Sequence, residues 1–213
     1  TTYDYDVRDK LIEVGQGASI LVRYQYDAEG RLLKKIGEDG IRQYVYDETS
    51  RLAEYDQAGS RVARFSYGSD RLISMEHGNE GARFYHLDGL RSVTALTDAS
   101  GTVTARLRLD AWGQFREPAD LSSSANRFAF TCHIFEAEIQ LYSAKARYFD
   151  PKLGRFLTQD SFLGRIDRPP SLHRYTYASD NPSTRIDLTG HADADANALA
   201  KAMSKSAAGW MAS

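Results

Sequence analysis

Tyrosine-aspartate pairs recur along the first half of this chain at a nearly constant interval. The aspartate position of each repeat is occupied by Asp6, Asp27, Asp47, Gly68, Asp88 and Asp110, and a leucine replaces the tyrosine before the last two. Successive positions lie 20 to 22 residues apart. A fixed period of this length is typical of repeat proteins, in which each unit buries its apolar face only against its neighbours. The spacing therefore points to a repeat architecture before any other fold.

Each repeat contains two turns, and the segments between the turns alternate polar and apolar residues, as in 64–67. Alternation with a period of two, bounded by Gly and Asp, predicts hairpins with one buried face. At Tyr26-Asp27 and Tyr46-Asp47, the aspartate is expected to accept a hydrogen bond from the backbone N–H two residues later. The tyrosine ring is expected to cover the neighbouring hairpin and keep its hydroxyl near water. We therefore predict an all-β fold in which hairpins form a long, curling antiparallel sheet.

Composition argues against several classes of function. Charged residues make up 26% of the chain and the net charge is −2, so no basic surface for nucleic acid is expected. No apolar run is long enough to cross a bilayer, and no signal peptide precedes Thr1, which we interpret as the start of a fragment. The lone Cys132 excludes an intrachain disulfide, and the five histidines show no metal-ligand spacing. No metal or other cofactor is therefore expected.

A further hairpin, separate from those of the repeats, is predicted in residues 146–160, where the repeat pattern has ended. Asp150 and Gly154 bound a short turn that contains Pro151, and aromatic residues flank it on both sides. Because a hairpin brings its outer ends together, Arg147 and Asp160 should lie side by side.

The rest of the chain is predicted to be less regular. Residues 160–190 are loop-like, and a loop of this length is usually functional. Residues 192–213 contain nine alanines, with apolar residues on one helical face, which predicts a short C-terminal α-helix. We divide the chain into a hairpin array at 1–115, a loop-rich core region at 116–191 and a tail at 192–213.

An ordered set of motifs in this chain resembles the Rhs/YD-repeat family, which includes Rhs polymorphic toxins and Tc-toxin C components. The stretches that carry the resemblance are 86–93, 110–113, 128–133, 146–160, 175–182 and 186–190. Their most characteristic residues are Tyr26, Asp27, Tyr46, Asp47, Tyr148, Asp150, Gly154 and Gly190. The resemblance implies that the sheet forms the wall of a shell that encloses a polypeptide, and that the core region acts as its plug. It also implies a bacterial toxin or effector that is secreted or delivered by a secretion system, with its variable cargo after Gly190.

The resemblance further implies an aspartyl-type autoprotease that cuts its own C-terminus between His191 and Ala192. Asp160 matches one catalytic carboxylate of the family, and Asp187 is the candidate for the second, ahead of Asp167 or Asp150. Peptide hydrolysis by two carboxylates requires that they share a proton. Arg147 would orient Asp160 or stabilise an oxyanion.

The chain departs from the family pattern at three positions next to this site. Leu188 and Ser161 replace the usual prolines, and His191 replaces the Leu or Met that normally precedes the cut. A histidine fills an apolar pocket poorly, so these departures bear on whether the bond is cut. If the bond is not cut, Arg147 and Asp160 would form only a structural ion pair.

Two alternatives to self-cleavage therefore stay open. One is a non-enzymatic YD-repeat scaffold, whose partners are its own C-terminal polypeptide or toxin cargo and the rest of the shell or another shell chain. The other is a module at the cell surface that binds a glycan through Trp112 and exposed tyrosines. His133 is either a structural residue or a ligand or base. The sequence has no motif of an independent hydrolase or nucleotide-binding enzyme.

Overall fold

The computed structural model describes residues 1–68, 71–78, 80–117, 125–164, 166–167, 169–191 and 193–195. Eleven strands form one antiparallel sheet in which each strand pairs with the next along the chain. These strands are β1 (Thr2–Tyr5), β2 (Leu11–Gln16), β3 (Ser19–Tyr26), β4 (Leu32–Gly37), β5 (Gly40–Asp47), β6 (Ser50–Tyr55), β7 (Arg61–Tyr67), β8 (Leu72–His77), β9 (Gly81–Leu87), β10 (Val93–Thr97) and β11 (Val103–Arg106). The prediction of two strands per repeat is confirmed.

Aspartate side chains close five of the ten turns that join these described strands, and one further turn that follows β11. The Oδ1 atom of Asp27 accepts hydrogen bonds from the backbone N–H groups of Glu29 and Arg31, both at 2.9 Å. The same pair of bonds is made by Asp6, Asp56, Asp88, Asp98 and Asp110. Satisfying two backbone donors from one side chain fixes the turn locally. The prediction is therefore confirmed at Asp27 but wrong at Asp47, where the backbones of β5 and β6 pair directly through Asp47 and Ser50.

The tyrosine hydroxyls depart from the prediction that they stay near water. The hydroxyl of Tyr26 donates to the backbone carbonyl of Leu11 at 2.8 Å, and that of Tyr67 donates to the carbonyl of Arg51 at 3.0 Å. Because each acceptor belongs to the preceding repeat, the hydroxyl ties neighbouring hairpins together. A phenol that is mostly covered by its neighbours needs such a partner.

The second half of the chain forms two small antiparallel sheets. The first contains β12 (Ile134–Glu136), β13 (Leu141–Ala144), β14 (Arg147–Asp150) and β15 (Arg155–Phe156), and the second contains β16 (Arg185–Asp187) and β17 (Asp193–Asp195). Three 3-10 helices lie among them, at Phe130–Cys132, Pro169–Leu172 and Ala178–Asp180. We call residues 125–191 the plug. Its β14–β15 hairpin confirms the one predicted from the sequence.

Aromatic side chains join the plug to one face of the large sheet. Phe128 makes edge-to-face contacts with Phe65 and Tyr85 of the sheet, with ring centroids 5.2 and 6.1 Å apart. Tyr142 and Phe149 continue this core inside the plug and are fully buried. Each such side chain contributes roughly 2 kcal/mol or more through the apolar area that it removes from water. The sheet and the plug therefore share buried apolar clusters, one around Phe128 and another around Tyr24 and Tyr148.

Two local features of the chain are unusual. Cys132 has a φ of 60°, in the left-handed region that a glycine occupies at lower cost. The tail predicted to be helical begins instead with strand β17, which pairs with β16. The rest of the predicted helix, and Ala192, lie outside the described residues.

Candidate site around Arg147

The guanidinium of Arg147 lies at the centre of a buried polar cluster in the plug. Its Nη2 atom lies 2.8 Å from Oδ2 of Asp160 and 3.7 Å from Oδ2 of Asp187. Its Nη1 atom donates to the carbonyl of Arg174 at 2.9 Å, and its Nε donates to the carbonyl of Gly190. The planar fork of arginine allows one buried side chain to make all of these contacts. Three segments that are distant in sequence thus meet at one residue.

The backbone brings these segments together through short strands and one glycine. Arg147 begins β14, and the N–H of Asp160 donates to the carbonyl of Arg174 at 2.9 Å. The N–H of Ala146 donates to the carbonyl of Thr189 at 3.2 Å, which fixes the chain that follows β16. Gly190 has a φ of +78°, and a β-carbon there would collide with the carbonyl of Ala144. Only glycine allows this close approach.

Asp187 is held by hydrogen bonds to its carboxylate and by a contact of His133 with its backbone carbonyl. Its Oδ1 atom accepts the N–H of Thr189 at 3.1 Å and that of Gly190 at 2.8 Å. The Nε2 atom of His133 lies 2.7 Å from the carbonyl oxygen of Asp187. Burial lowers the pKa of His133 to about 4, so the ring is neutral near pH 7 and Nε2 carries the proton that it donates. This contact favours the structural reading of His133 over a ligand or base.

Asp160 is nearly buried, and its carboxylate is occupied at both oxygens. Besides Arg147, it accepts the N–H of Phe162 at 2.9 Å and contacts Nδ1 of His191 at 3.0 Å. Arg174 donates from its side chain to the backbone carbonyl of Asp160. Arg174 is not predictable from the sequence, because no motif distinguishes it from the many other arginines of the chain.

The two candidate carboxylates meet at one guanidinium nitrogen. The Nη2 atom of Arg147 contacts both Asp160 and Asp187, and the sharing of a proton between the two carboxylates stays a prediction. Burial lowers the pKa of Arg147, while the two carboxylates oppose that shift. The cluster therefore places two carboxylates beside a cation that is hydrogen-bonded to a backbone carbonyl.

The other sequence candidates lie away from this cluster or have a structural role. The carboxylate of Asp150 accepts the N–H groups of Lys152 and Leu153 at 2.8 and 3.2 Å and so caps the turn of its hairpin. Trp112 is partly buried against the core and packs over Gly154. Among the described residues, no group of three or more His, Cys, Asp or Glu side chains is placed to hold a metal ion. The helices described here are all too short to cross a membrane.

A cleft of about 500 Å³ opens beside the cluster, between the tyrosine-aspartate turns of the sheet and the plug. His191, Leu188 and Arg147 line it from the plug, and Lys10 and Tyr26 line it from the sheet. The Nζ atom of Lys10 also donates to the carbonyl of Ala146 at 3.0 Å. The residue before the expected cut therefore faces an open cleft rather than a closed apolar pocket.

Solved structures of Tc-toxin complexes have the same fold. The chain superposes on a TcdB2-TccC3-Cdc42 crystal structure over 89% of its length, with a TM-score of 0.67 and 18% identity. It superposes on a Tc holotoxin pore from Photorhabdus luminescens over 88% of its length, with a TM-score of 0.66 and 18% identity. In both cases it covers 10% of the other chain.

The chain is similar in sequence to WapA nucleases and matches one family model. The tRNA(Glu)-specific nuclease WapA of Bacillus subtilis subsp. natto (strain BEST195) is 31% identical over 107 residues, and the tRNA nuclease WapA of Bacillus subtilis (strain 168) is 29% identical over 107 residues. Each alignment covers 50% of this chain and 5% of the relative, so this chain corresponds to a small part of either nuclease. The Teneurin YD-shell model matches residues 1–183, and the chain therefore belongs to the Teneurin YD-shell family.

Proposed function

We propose that this chain is the wall and plug of an Rhs-type toxin or effector shell that cleaves its own C-terminus after His191. One observation carries the proposal. The guanidinium that pairs with Asp160 also holds the carbonyl of Gly190, one residue before the expected cut. An arginine engaged only in a structural ion pair has no need to bind the backbone of the segment to be cut.

In this proposal the groups around Arg147 divide the work of peptide hydrolysis. Asp160 removes a proton from water as the water oxygen bonds to the carbonyl carbon of His191. Arg147 orients the segment through Gly190 and stabilises the negative charge that develops on the carbonyl oxygen. When the bond to Ala192 breaks, the proton passes from Asp160 to the leaving amine. Asp187 fixes the turn and adds the second negative charge that holds Arg147 in place.

The partners follow from the family. We propose that the chain encloses its own C-terminal polypeptide and packs against further repeats of the same shell or of another shell chain. We propose that the chain has three parts: the hairpin array at 1–115, the core region at 116–191 and the tail at 192–213. The relatives include Tc toxins and tRNA nucleases, which supports a toxin or effector that is secreted or delivered by a secretion system.

A non-enzymatic scaffold is the second candidate, and the occupied carboxylate of Asp160 favours it. A buried carboxylate that already accepts from Arg147 and Phe162 is also what a structural ion pair looks like. The glycan-binding alternative has less support, because Trp112 packs against the core and over Gly154.

The two candidates are separated by the intact mass of the purified chain, measured under denaturing conditions. Self-cleavage predicts that the wild-type chain is cut between His191 and Ala192 and that Asp160→Asn stays whole. Asp150→Asn is the matched control, because it alters a carboxylate of the same hairpin that only caps a turn, and it should be cut like the wild type. A wild-type chain that remains uncut would contradict self-cleavage, and the non-enzymatic scaffold would be the remaining candidate.

A further inference from the structure

The residue just before the proposed cleavage bond contacts the carboxylate that we assign as the base. The Nδ1 atom of His191 lies 3.0 Å from Oδ1 of Asp160, and the N–H of His191 donates to Oγ1 of Thr189 at 3.3 Å. The side chain of His191 is 45% exposed, whereas that of Asp160 is 10% exposed. A largely accessible imidazole therefore reaches a nearly buried carboxylate from the side of the cleft.

This contact fills the last place at which water can approach Oδ1 of Asp160. A carboxylate oxygen has two lone pairs, and the N–H of Phe162 already takes one of those on Oδ1, at 2.9 Å. The imidazole takes the other, and Oδ2 faces the guanidinium of Arg147 at 2.8 Å. A general base has to lie within hydrogen-bonding reach of the water that it deprotonates. With His191 in place, Asp160 cannot present Oδ1 to a water molecule.

We propose that His191 is a latch that slows cleavage of the bond on its own C-terminal side by occupying Asp160. The inference rests on the proposed self-cleavage and concerns its regulation. The imidazole faces the carboxylate of Asp160, Arg147 and Asp187 lie beside that carboxylate, and the side chain of Arg174 donates to the backbone carbonyl of Asp160. The contact is a hydrogen bond from the imidazole when Nδ1 carries its proton, so the latch holds in that tautomer. Movement of the exposed side chain toward the cleft opens the latch without unfolding the plug.

Three substitutions at one position separate a latch from a residue that merely fits its pocket. His191→Leu and His191→Ala both remove the donor, and both should be cut about tenfold faster than the wild type, the factor that one hydrogen bond to a charged group is worth. His191→Asn keeps a donor in the place of Nδ1 and should be cut as slowly as the wild type. If Leu alone accelerates cleavage and Ala does not, the side chain acts through its fit to the cleft and the latch is wrong.

A second measurement tests the contact without relying on cleavage. Nitrogen NMR of the imidazole should show the proton on Nδ1 in the wild-type chain and a shift toward Nε2 in Asp160→Ala, which removes the acceptor. An unchanged tautomer would overturn the latch, even if self-cleavage stands. If the contact is present but all three His191 variants are cut at the wild-type rate, the latch is also wrong. If no variant is cut at all, self-cleavage itself fails and the latch fails with it.

Discussion

Gly190 shows most clearly how one residue determines the site. Its φ of +78° matches the +79° of Gly59, but only Gly190 is pressed against backbone, that of Ala144. Gly59→Ala should therefore cost about 1 kcal/mol, from the left-handed conformation alone. Gly190→Ala should cost about 3 kcal/mol, because the new β-carbon also displaces the strand that leads to Arg147. Chemical unfolding of both variants measures the difference, and equal costs would contradict the close approach at Gly190.

Only part of the cluster around Arg147 was predictable from the sequence. The pairing of Arg147 with Asp160 follows from the hairpin between them, since its ends have to meet. The family resemblance suggested Asp187, but nothing local indicated that His133 would hold its carbonyl. That contact joins residues 54 apart in sequence, and it depends on tertiary packing that no repeat or turn motif encodes.

At the scale of elements, one turn shows what the tyrosine-aspartate motif does not determine by itself. Asp47 follows a tyrosine as Asp27 does, yet β5 and β6 pair directly through Asp47 and Ser50, with the positive φ at Glu48. In the six turns that an aspartate closes, the third residue after the aspartate has a positive φ: Asp9, Gly30, Gly59, Arg91, Gly101 and Gly113. Ser50 occupies that place after Asp47 and is the last partner in the strand pairing instead. Period and motif therefore predict the strands better than the turns.

This difference predicts unequal effects of removing two aspartates at turns of the sheet. Asp56 accepts the N–H groups of Ala58 and Ser60 at 2.9 and 2.8 Å, so Asp56→Ala should lower the free energy of unfolding by about 1 kcal/mol. Asp47→Ala should change it by less than about 0.5 kcal/mol, because strand pairing closes its turn. Thermal or urea unfolding of the two variants gives the comparison. A cost at Asp47 equal to that at Asp56 would show that both turns depend on the carboxylate.

At the scale of the whole molecule, the sheet and the plug stabilise each other. The repeat pattern predicted the sheet, and the resemblance predicted a plug, but neither indicated which side chains would join them. Those side chains are aromatic and ionic. Phe128 packs on Phe65, and Lys35 of the sheet forms an ion pair with Glu138 of the plug at 2.8 Å. Because the strands that position Arg147 are part of this shared core, the site depends on the sheet as well as on the plug.

The central claim is that Arg147 of the plug holds the segment around Gly190, just before the proposed cut. Hydrogen exchange of residues 185–191, followed by mass spectrometry, tests it most directly. The amide of Gly190 is bonded to Asp187, and the carbonyl of Gly190 is bonded to Arg147. The wild-type chain should therefore protect this segment, and Arg147→Gln should exchange it at least about tenfold faster, since one charge-assisted bond is lost. Exchange of the wild-type segment at the rate of an unstructured peptide would contradict the claim.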